Sequence, residues 1–445
     1  MPRASQGSGL QRMKLAIVGS GISGLAVAHR LRGRADITLF EAGDYFGGHT
    51  HTVDLTLPGP DGPVRHGVDT GFLVFNERTY PELIRLFGEL GVPTARSDMS
   101  FSVQVPGHRP PAALEWSGSS LNTVFAQRRN LVRPRFLAML GDVLRFNRLA
   151  TALAVGGRDA ELLQPLADFL SQHQFSTEFR DWYFLPMLGC IWSCPTDQML
   201  QFPVATMIRF CHNHGLIQVT NRPQWWTVDG GARQYVDKIT ARIDDKRLRC
   251  PVQLIRRDAQ GVLVSAAGQT ERFDKVVLAS HSDQSLALLD DASEAERATL
   301  GAIRYQANRA VLHTDTSVLP RQRRAWAAWN YERASGAGDA NQVCLHYLLN
   351  QLQPLPFAQP VLVSLNPLRA IAPGEVHASF DYAHPVFDLA AIRAQQAVSA
   401  LQGQRHTYFC GAWTGYGFHE DGLKSGLAVA AQLEPLLSKN QGALA

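Results

Sequence analysis

The stretch Leu15–Gly24, LAIVGSGISG, decides the fold. Leu15, Ala16, Ile17 and Val18 make a compact apolar strand, and Gly19, Gly21 and Gly24 stand on the GxGxxG spacing where a helix begins. The three glycines serve separate mechanical ends, namely the tight turn, the close approach of backbone to a pyrophosphate, and the packing of helix on strand. The amide N–H groups around Ser20, Ile22 and Ser23 and the positive helix end favour a diphosphate. The helix expected over 22–32 is apolar on one side through Ile22, Leu25, Ala26, Ala28 and Leu31, and Gly33 stops it. A second strand, 36–40, ends in Glu41, the right distance along for a carboxylate on a ribose hydroxyl.

The run EAGDYFGGHTHTV narrows the nucleotide. After Glu41 and Ala42, the pair Gly47 and Gly48 lets backbone pass the phosphates a second time, which a nicotinamide-only domain does not need. The pattern resembles the FAD-binding start of the flavin amine oxidase and phytoene desaturase superfamily. There the glycine pair is followed by Arg or Lys; here His49 and Thr50 follow, so any charge offered to the diphosphate depends on pH. The resemblance implies an α/β fold, a Rossmann-type FAD-binding domain of the glutathione-reductase-like, amine oxidase type, with a discontinuous α+β substrate domain.

The rest of the chain bounds this reading. At 445 residues, 45% of them hydrophobic, it can bury a large core in two domains. A formal charge of +4 is too mild for nucleic acid to be the main partner. The polar opening MPRASQGSGLQR has no apolar core of the signal-peptide kind, and no apolar run is long enough to span a bilayer. A cytoplasmic protein is expected, or one peripheral to the inner face of a membrane. Six scattered cysteines read as reduced, buried thiols. Cys190, Cys194, Cys211, His212 and His214 match no common zinc spacing, and no metal is expected.

Seven pieces are expected: a flexible start (1–13), FAD-binding segments over 14–75, 219–295 and 386–436, substrate-domain segments over 76–218 and 296–385, and a tail (437–445). A hairpin, 51–57 with 64–68, turns through PGPDGP, and a helix follows over 79–90. Strand 101–105 precedes a long helical pattern, 121–154, that carries Arg128, Arg129, Arg133, Arg135, Arg145 and Arg148 among apolar residues. That stretch either lies on anionic lipid or packs on the core with a solvated arginine face. A helix is expected over 161–170, then the aromatic run FRDWYFLPMLGCIWSCP, as pocket wall or core. Later come a helix over 235–243, strands at 252–256, 261–266 and 274–280, sheet strands within 300–314 and 325–349, strand 408–410 and a helix over 422–431. The loop RQRRAWAAW suits a headgroup-level surface or a plain surface loop.

By the superfamily resemblance, Thr70, Gly71 and Phe72 touch the flavin ring, Trp226 marks re-entry into the flavin domain, and Val252 touches adenine. Ser280, Gly411, Ala412, Asp421, Gly422 and Leu423 complete the expected cofactor set. A helix beginning at Gly422 presents a positive end to a reduced ring. Superfamily members carry an acid just after the glycine where this chain has Ala412 and Trp413. Taken together, GSGISGL, GGHT, DTGFLVFN, RTYPELI, SDMSFSV, FAQRRN, IWSCP, FCHNHGL, RPQWWTV, AAWNY and GYGFHEDGLKSG look like the flavin domain at the N-terminus of plant cyclopropane fatty acid synthases and its stand-alone bacterial relatives. The latter are linked to acyl-chain methylation and furan fatty acid formation. That resemblance implies a lipid or acyl-chain substrate and an acyl-phospholipid methyltransferase as partner. The expected reaction is hydride abstraction from a methylated, unsaturated acyl chain. A redox-neutral isomerase, an amine oxidase and a non-catalytic FAD-bound partner are the alternatives. For a base, Tyr416, His419 and Glu420 of the GYGFHED turn come first, unless that turn only holds the cofactor.

Overall fold

The computed structural model describes residues 12–106, 113–156, 163–218, 222–334 and 343–442. The chain forms two compact units, one from Met1–Thr50, Arg233–Ile303 and Arg393–Ala445, the other from His51–Ala232 and Arg304–Ile392.

The first unit is built on a parallel sheet in the order Asp245–Arg247, Asp36–Phe40, Lys14–Val18, Lys275–Leu278 and Thr407–Phe409. The apolar run of Lys14–Val18 is buried from Leu15 onward, as a central parallel strand must be. Its two neighbours both follow it in the sequence but pair on opposite sides of it, which creates a switch point at the strand ends, where open α/β sheets bind ligands. The helix Ile22–Leu31 packs on the C-terminal helix His419–Gly442 through small residues. A Cβ on Gly426 would lie 2.3 Å from the Ser23 carbonyl oxygen, and one on Gly422 would lie 2.8 Å from Ile22. An antiparallel meander, Val252–Asp258, Gly261–Ala266 and Gln269–Phe273, covers another side. Behind it, the buried Arg257 guanidinium pairs with Asp291 at 2.8 Å and Glu296 at 2.5 Å.

The second unit centres on a seven-stranded sheet in the order Val376–Val386, Arg304–His313, Leu362–Leu365, Val343–Leu348, Trp329–Arg333, Phe101–Val105 and Leu114–Ser117. Its pairs are antiparallel except Trp329–Arg333 with Phe101–Val105, where the two pieces of the unit join. Against it stand helices rich in aromatics, with Phe146, Phe175, Phe179 and Phe184 in mutual contact. The segment Arg180–Phe184 is a π-helical turn leading into the helix Leu185–Trp192, so the aromatic run is mostly core. The hairpin Thr52–Gly59 with Gly62–Asp69 belongs to this unit, as does a small sheet of Phe75–Asn76, Trp225–Val228 and Thr94–Ser97.

The units divide at residues 50, 232, 303 and 392, where the expected boundaries were 75, 218, 295 and 385. The reason is local. The hairpin pairs with itself, and Asp69 at its end accepts hydrogen bonds from the Ala232 N–H at 3.0 Å, Gln353 Nε2 at 2.9 Å and Thr52 Oγ1 at 2.5 Å. The basic stretch is not one helix: Leu121–Val124 and a 3₁₀ turn, Arg128–Val132, precede the helix Pro134–Gly156. Pro134 enforces the break, because it keeps Arg133 out of helical geometry and suits only a first helical turn. The helix expected over 161–170 runs Leu166–Gln172, with 161 and 162 outside the described residues, as are 1–11, 219–221 and 443–445. No helix among the described residues is long and apolar enough to cross a membrane.

Candidate functional site

Gly19, Gly21 and Gly24 differ in what holds them. Gly19 has φ +103°, and a Cβ there would meet the Ala279 carbonyl oxygen at 2.9 Å, so the turn and its neighbour at the switch point leave no room for a side chain. A Cβ on Gly24 would sit 2.0 Å from the Gly19 carbonyl oxygen. Gly21 is another case: its φ is −61° and a Cβ would meet nothing within 4 Å. Nothing in the protein demands a glycine there, and the open space lies at the N-terminus of Ile22–Leu31.

The flanking residues are organised around that space. Ser20 Oγ donates to Glu41 Oε2 at 2.5 Å and accepts from the Gly47 N–H at 3.1 Å, tying the first glycine turn to the second. The Glu41 carboxylate also accepts from the Ser20 N–H at 3.0 Å and the Gly43 N–H at 2.8 Å. Gly48, at φ +58°, brings its Cβ position to 3.2 Å from the Gly21 Cα. His49 lies beside His281, ring centroids 6.2 Å apart, and burial lowers the His281 pKa. Val252 is buried in the meander against Ala266, and Ser280 Oγ contacts Ser285 Oγ at 2.9 Å.

The C-terminal turn differs from expectation. The helix starts at His419, so Gly422 and the buried Leu423 lie inside its first turn rather than at its start. Gly411 is clamped to it, its N–H donating to Ser425 Oγ at 2.8 Å, and Ala412 opens a 3₁₀ turn whose Trp413 donates to the Ser280 carbonyl at 3.2 Å. The Asp421 carboxylate accepts from the Tyr416 and Phe418 N–H groups at 3.1 and 3.0 Å, and burial raises its pKa to about 6. His419 Nε2 contacts the Tyr235 hydroxyl at 2.8 Å and Thr50 Oγ1 at 3.2 Å, and Tyr235 and Thr50 also bond each other. Burial pushes the His419 pKa down to about 3. The expected general base is therefore a neutral imidazole that joins three stretches of the first unit. Glu420 is buried and paired with Lys424 at 3.2 Å. Tyr416 enters by its backbone, as the N–H partner of Asp421.

In the second unit, Thr70, Gly71 and Phe72 follow the hairpin. Thr70 Oγ1 contacts the Tyr382 hydroxyl at 2.8 Å, and that hydroxyl lies 3.1 Å from His51 Nδ1. Phe380 stands edge-on to His51 at 4.5 Å. Sequence reasoning missed this cluster: His51 read as a hairpin residue, and the alternation ASFDYAHPV that marks its strand was not followed. Trp226 stays with the second unit, its Nε1 donating to Glu77 at 3.1 Å.

The six cysteines are free and buried. Burial alone raises the thiol pKa of Cys190 and Cys211, while His214 is held near pKa 4 by burial. Elsewhere Glu332, Cys344 and His346 converge on one face of the large sheet. Burial opposes the charge of His346, but Cys344 and Glu332, the latter 3.0 Å away, outweigh it and hold the pKa up to about 9.

Residues of the first unit fit an FAD. The space over Gly21 would take a diphosphate against helix N–H groups, the pinned Glu41 carboxylate would take a ribose hydroxyl, and the Gly47–Gly48 turn would add further backbone. The model of the flavin containing amine oxidoreductase family matches residues 22–334. Among solved structures, cyclohexylamine oxidase from Brevibacterium oxydans IH-35A is 17% identical with a TM-score of 0.67, over 95% of this chain and 100% of that one. The CLA-producing fatty acid isomerase from P. acnes is 16% identical with a TM-score of 0.63, over 94% and 98%. Putrescine oxidase bound to putrescine is 16% identical with a TM-score of 0.65, over 95% and 99%. No curated protein matches. Such identities speak for the fold, and the family match speaks for the cofactor and the class of chemistry. With a flavin-shaped set of residues in place and most of its length matched, the chain belongs to the flavin containing amine oxidoreductase family and is an FAD-dependent oxidoreductase.

Proposed function

We propose that the protein desaturates a methylated, unsaturated acyl chain of a phospholipid. The observation that carries this reading is the absence of carboxylates from the paired residues on the sheet face around Tyr382. Its cross-strand pairs Ala310–Phe380, Asn308–Tyr382 and Gln306–His384 hold no carboxylate, and Asp381 and Arg309 lie on the opposite face. An ammonium substrate finds no counter-charge on those pairs, whereas an apolar chain finds Phe380 and a neutral hydroxyl. The resemblance to the flavin domain of cyclopropane fatty acid synthases supports the same substrate class.

Bound FAD supplies a hydride acceptor, which suits an allylic C–H beside a methyl-branched double bond because the developing positive charge is delocalised there. The chain's own residues then handle the proton. Tyr382, held by Thr70 and His51, accepts it on its hydroxyl oxygen while passing its own proton to His51 Nδ1, 3.1 Å away. The electrons of the second C–H bond form the new double bond. The Thr50–Tyr235–His419 cluster positions cofactor-binding segments and moves no proton.

The test is anaerobic mixing of the FAD-loaded protein with phospholipid bearing methyl-branched unsaturated chains, followed by mass analysis. Bleaching of the flavin and a product lighter by a pair of hydrogens support desaturation. A product of unchanged mass with a moved double bond supports the isomerase reading, which the likeness to a fatty acid isomerase favours. Bleaching with amines, with peroxide formed once air is admitted, and no bleaching with lipid, overturn both.

A further inference from the structure

We infer that the second unit carries a docking surface for an anionic lipid bilayer, formed by 121–156 and the loop 321–325. A helix packed by one stripe on a core ordinarily turns charge to solvent on the other. The helix Pro134–Gly156 buries Phe136, Met139, Phe146 and Ala150. The opposite stripe reads Leu137, Gly141, Leu144, Arg148, Ala152 and Val155, all exposed, with Leu144 57% and Val155 75% accessible. The sequence offered a solvated arginine face as the plain alternative, and this outward stripe is mostly apolar instead. The preceding turns continue the pattern, with Val132 82% and Leu121 79% accessible.

Cations surround this apolar stripe. From 121 to 156 there are six arginines and one acid, Asp142, which is paired with Arg145; Arg135 pairs with Glu178, and Arg128, Arg129, Arg133 and Arg148 form no ion pair among the described residues. Arg133 lies 4.9 Å and Arg135 5.8 Å from the Trp182 ring, an aromatic–cation arrangement suited to headgroup depth. The loop carrying Arg321, Arg323 and Arg324 packs beside Leu121–Val124, so a second run of exposed arginines adjoins the same end. Apolar side chains with arginines at their margins match a bilayer's acyl boundary and anionic headgroups together. A protein partner would have to offer an apolar surface rimmed by acids. The inference does not rest on the desaturase reading, since it concerns residues with no part in the chemistry.

The experiment is co-sedimentation of the FAD-loaded full chain with vesicles of phosphatidylglycerol mixed with phosphatidylcholine, and with vesicles of phosphatidylcholine alone, without turnover. Binding to the anionic vesicles that weakens with salt is expected. The variant Leu137→Ser/Leu144→Ser/Val155→Ser, and separately Arg148→Gln/Arg323→Gln/Arg324→Gln, should each weaken it on the order of a hundredfold. Flavin content and melting temperature should stay unchanged, as every substituted side chain is exposed. No binding to either vesicle, or binding that both variants retain, overturns the inference. So does a wild-type dimer that the serine variant converts to monomer without any vesicle binding, which would make the face a contact between copies. Vesicle binding leaves this inference standing even where the separate assay with methyl-branched phospholipid shows no turnover and so refutes the desaturase reading.

Discussion

Replacing Gly21 by alanine tests the cofactor assignment without disturbing the fold. The added methyl meets nothing within 4 Å and the backbone is at φ −61°, so the side chain itself brings no clash and no strain. What remains is the loss of a glycine helix cap, about 0.5–1 kcal/mol. The same methyl occupies the space over the helix N-terminus and pushes a diphosphate off the N–H groups. Losing one charge-assisted hydrogen bond costs about 1.5–3 kcal/mol, roughly ten- to a hundredfold in FAD affinity. Gly24→Ala is the control, because its Cβ falls 2.0 Å from the Gly19 carbonyl oxygen and the helix must move. Apoprotein melting and FAD titration by flavin fluorescence separate the two. Gly21→Ala should melt within a few degrees of wild type and bind FAD poorly; Gly24→Ala should fail in both. A Gly21→Ala protein that binds FAD as tightly as wild type would refute the placement of the phosphates.

Three further outcomes follow from the geometry. Arg257→Leu leaves Glu296 buried and unpaired and should cost about 3–5 kcal/mol, read from urea unfolding, whereas Arg257→Leu with Glu296→Leu should recover most of it. His419 has a folded pKa near 3, below its unfolded value, so the unfolded chain binds more protons and stability falls as pH drops through 6.5, by about 2 kcal/mol at pH 5; His419→Asn should flatten that part of the urea-midpoint profile, and an unchanged slope would argue against it. His346 has the opposite sign, its folded pKa of about 9 lying above its unfolded value, so its stabilisation is complete below pH 6.5 and lost as pH rises through 9, a loss that Glu332→Gln should reduce.

Much of the first unit was legible because its signals are local. The strand Lys14–Val18, the helix that follows and the strand Asp36–Phe40 are each announced by a run of apolar residues and a punctuating glycine, and they stand within a residue of expectation. The strand Phe101–Val105 was legible by alternation, and Gly261–Ala266 stands where the sequence reading puts it. The longest pairing in the second unit, Arg304–His313 with Val376–Val386, was not, since about 60 residues of chain separate its strands and the second is half-exposed, with polar residues on both faces. Domain boundaries failed for a related reason. Asp69 reads as the end of a strand in sequence, and bonds to residues far along the chain, Ala232 and Gln353 among them, tie the hairpin to the second unit.

The GYGFHED turn shows the same distinction between composition and position. GYGFHED holds a histidine, a tyrosine and two acids, and residue type alone makes it the natural place for proton transfer. In the folded chain the helix begins at His419 instead of Gly422, and an imidazole in a first helical turn faces a positive helix end as well as burial. Both effects favour the neutral ring, and the contacts to Tyr235 and Thr50 occupy it structurally. Asp421 is spent on the Tyr416 and Phe418 N–H groups, which shape the turn. A group able to exchange protons near neutrality needs a partner that tolerates both of its states. In the second unit the Tyr382 hydroxyl has one in His51, with Thr70 Oγ1 able to donate or accept beside it. If the pair works as a relay, Tyr382→Phe and His51→Asn should each slow substrate-driven flavin bleaching about a hundredfold, and the double variant should be scarcely slower than either, because removing one member already breaks the chain. Two independent losses that multiply would mean that the hydroxyl and the imidazole act separately, and the relay would fall.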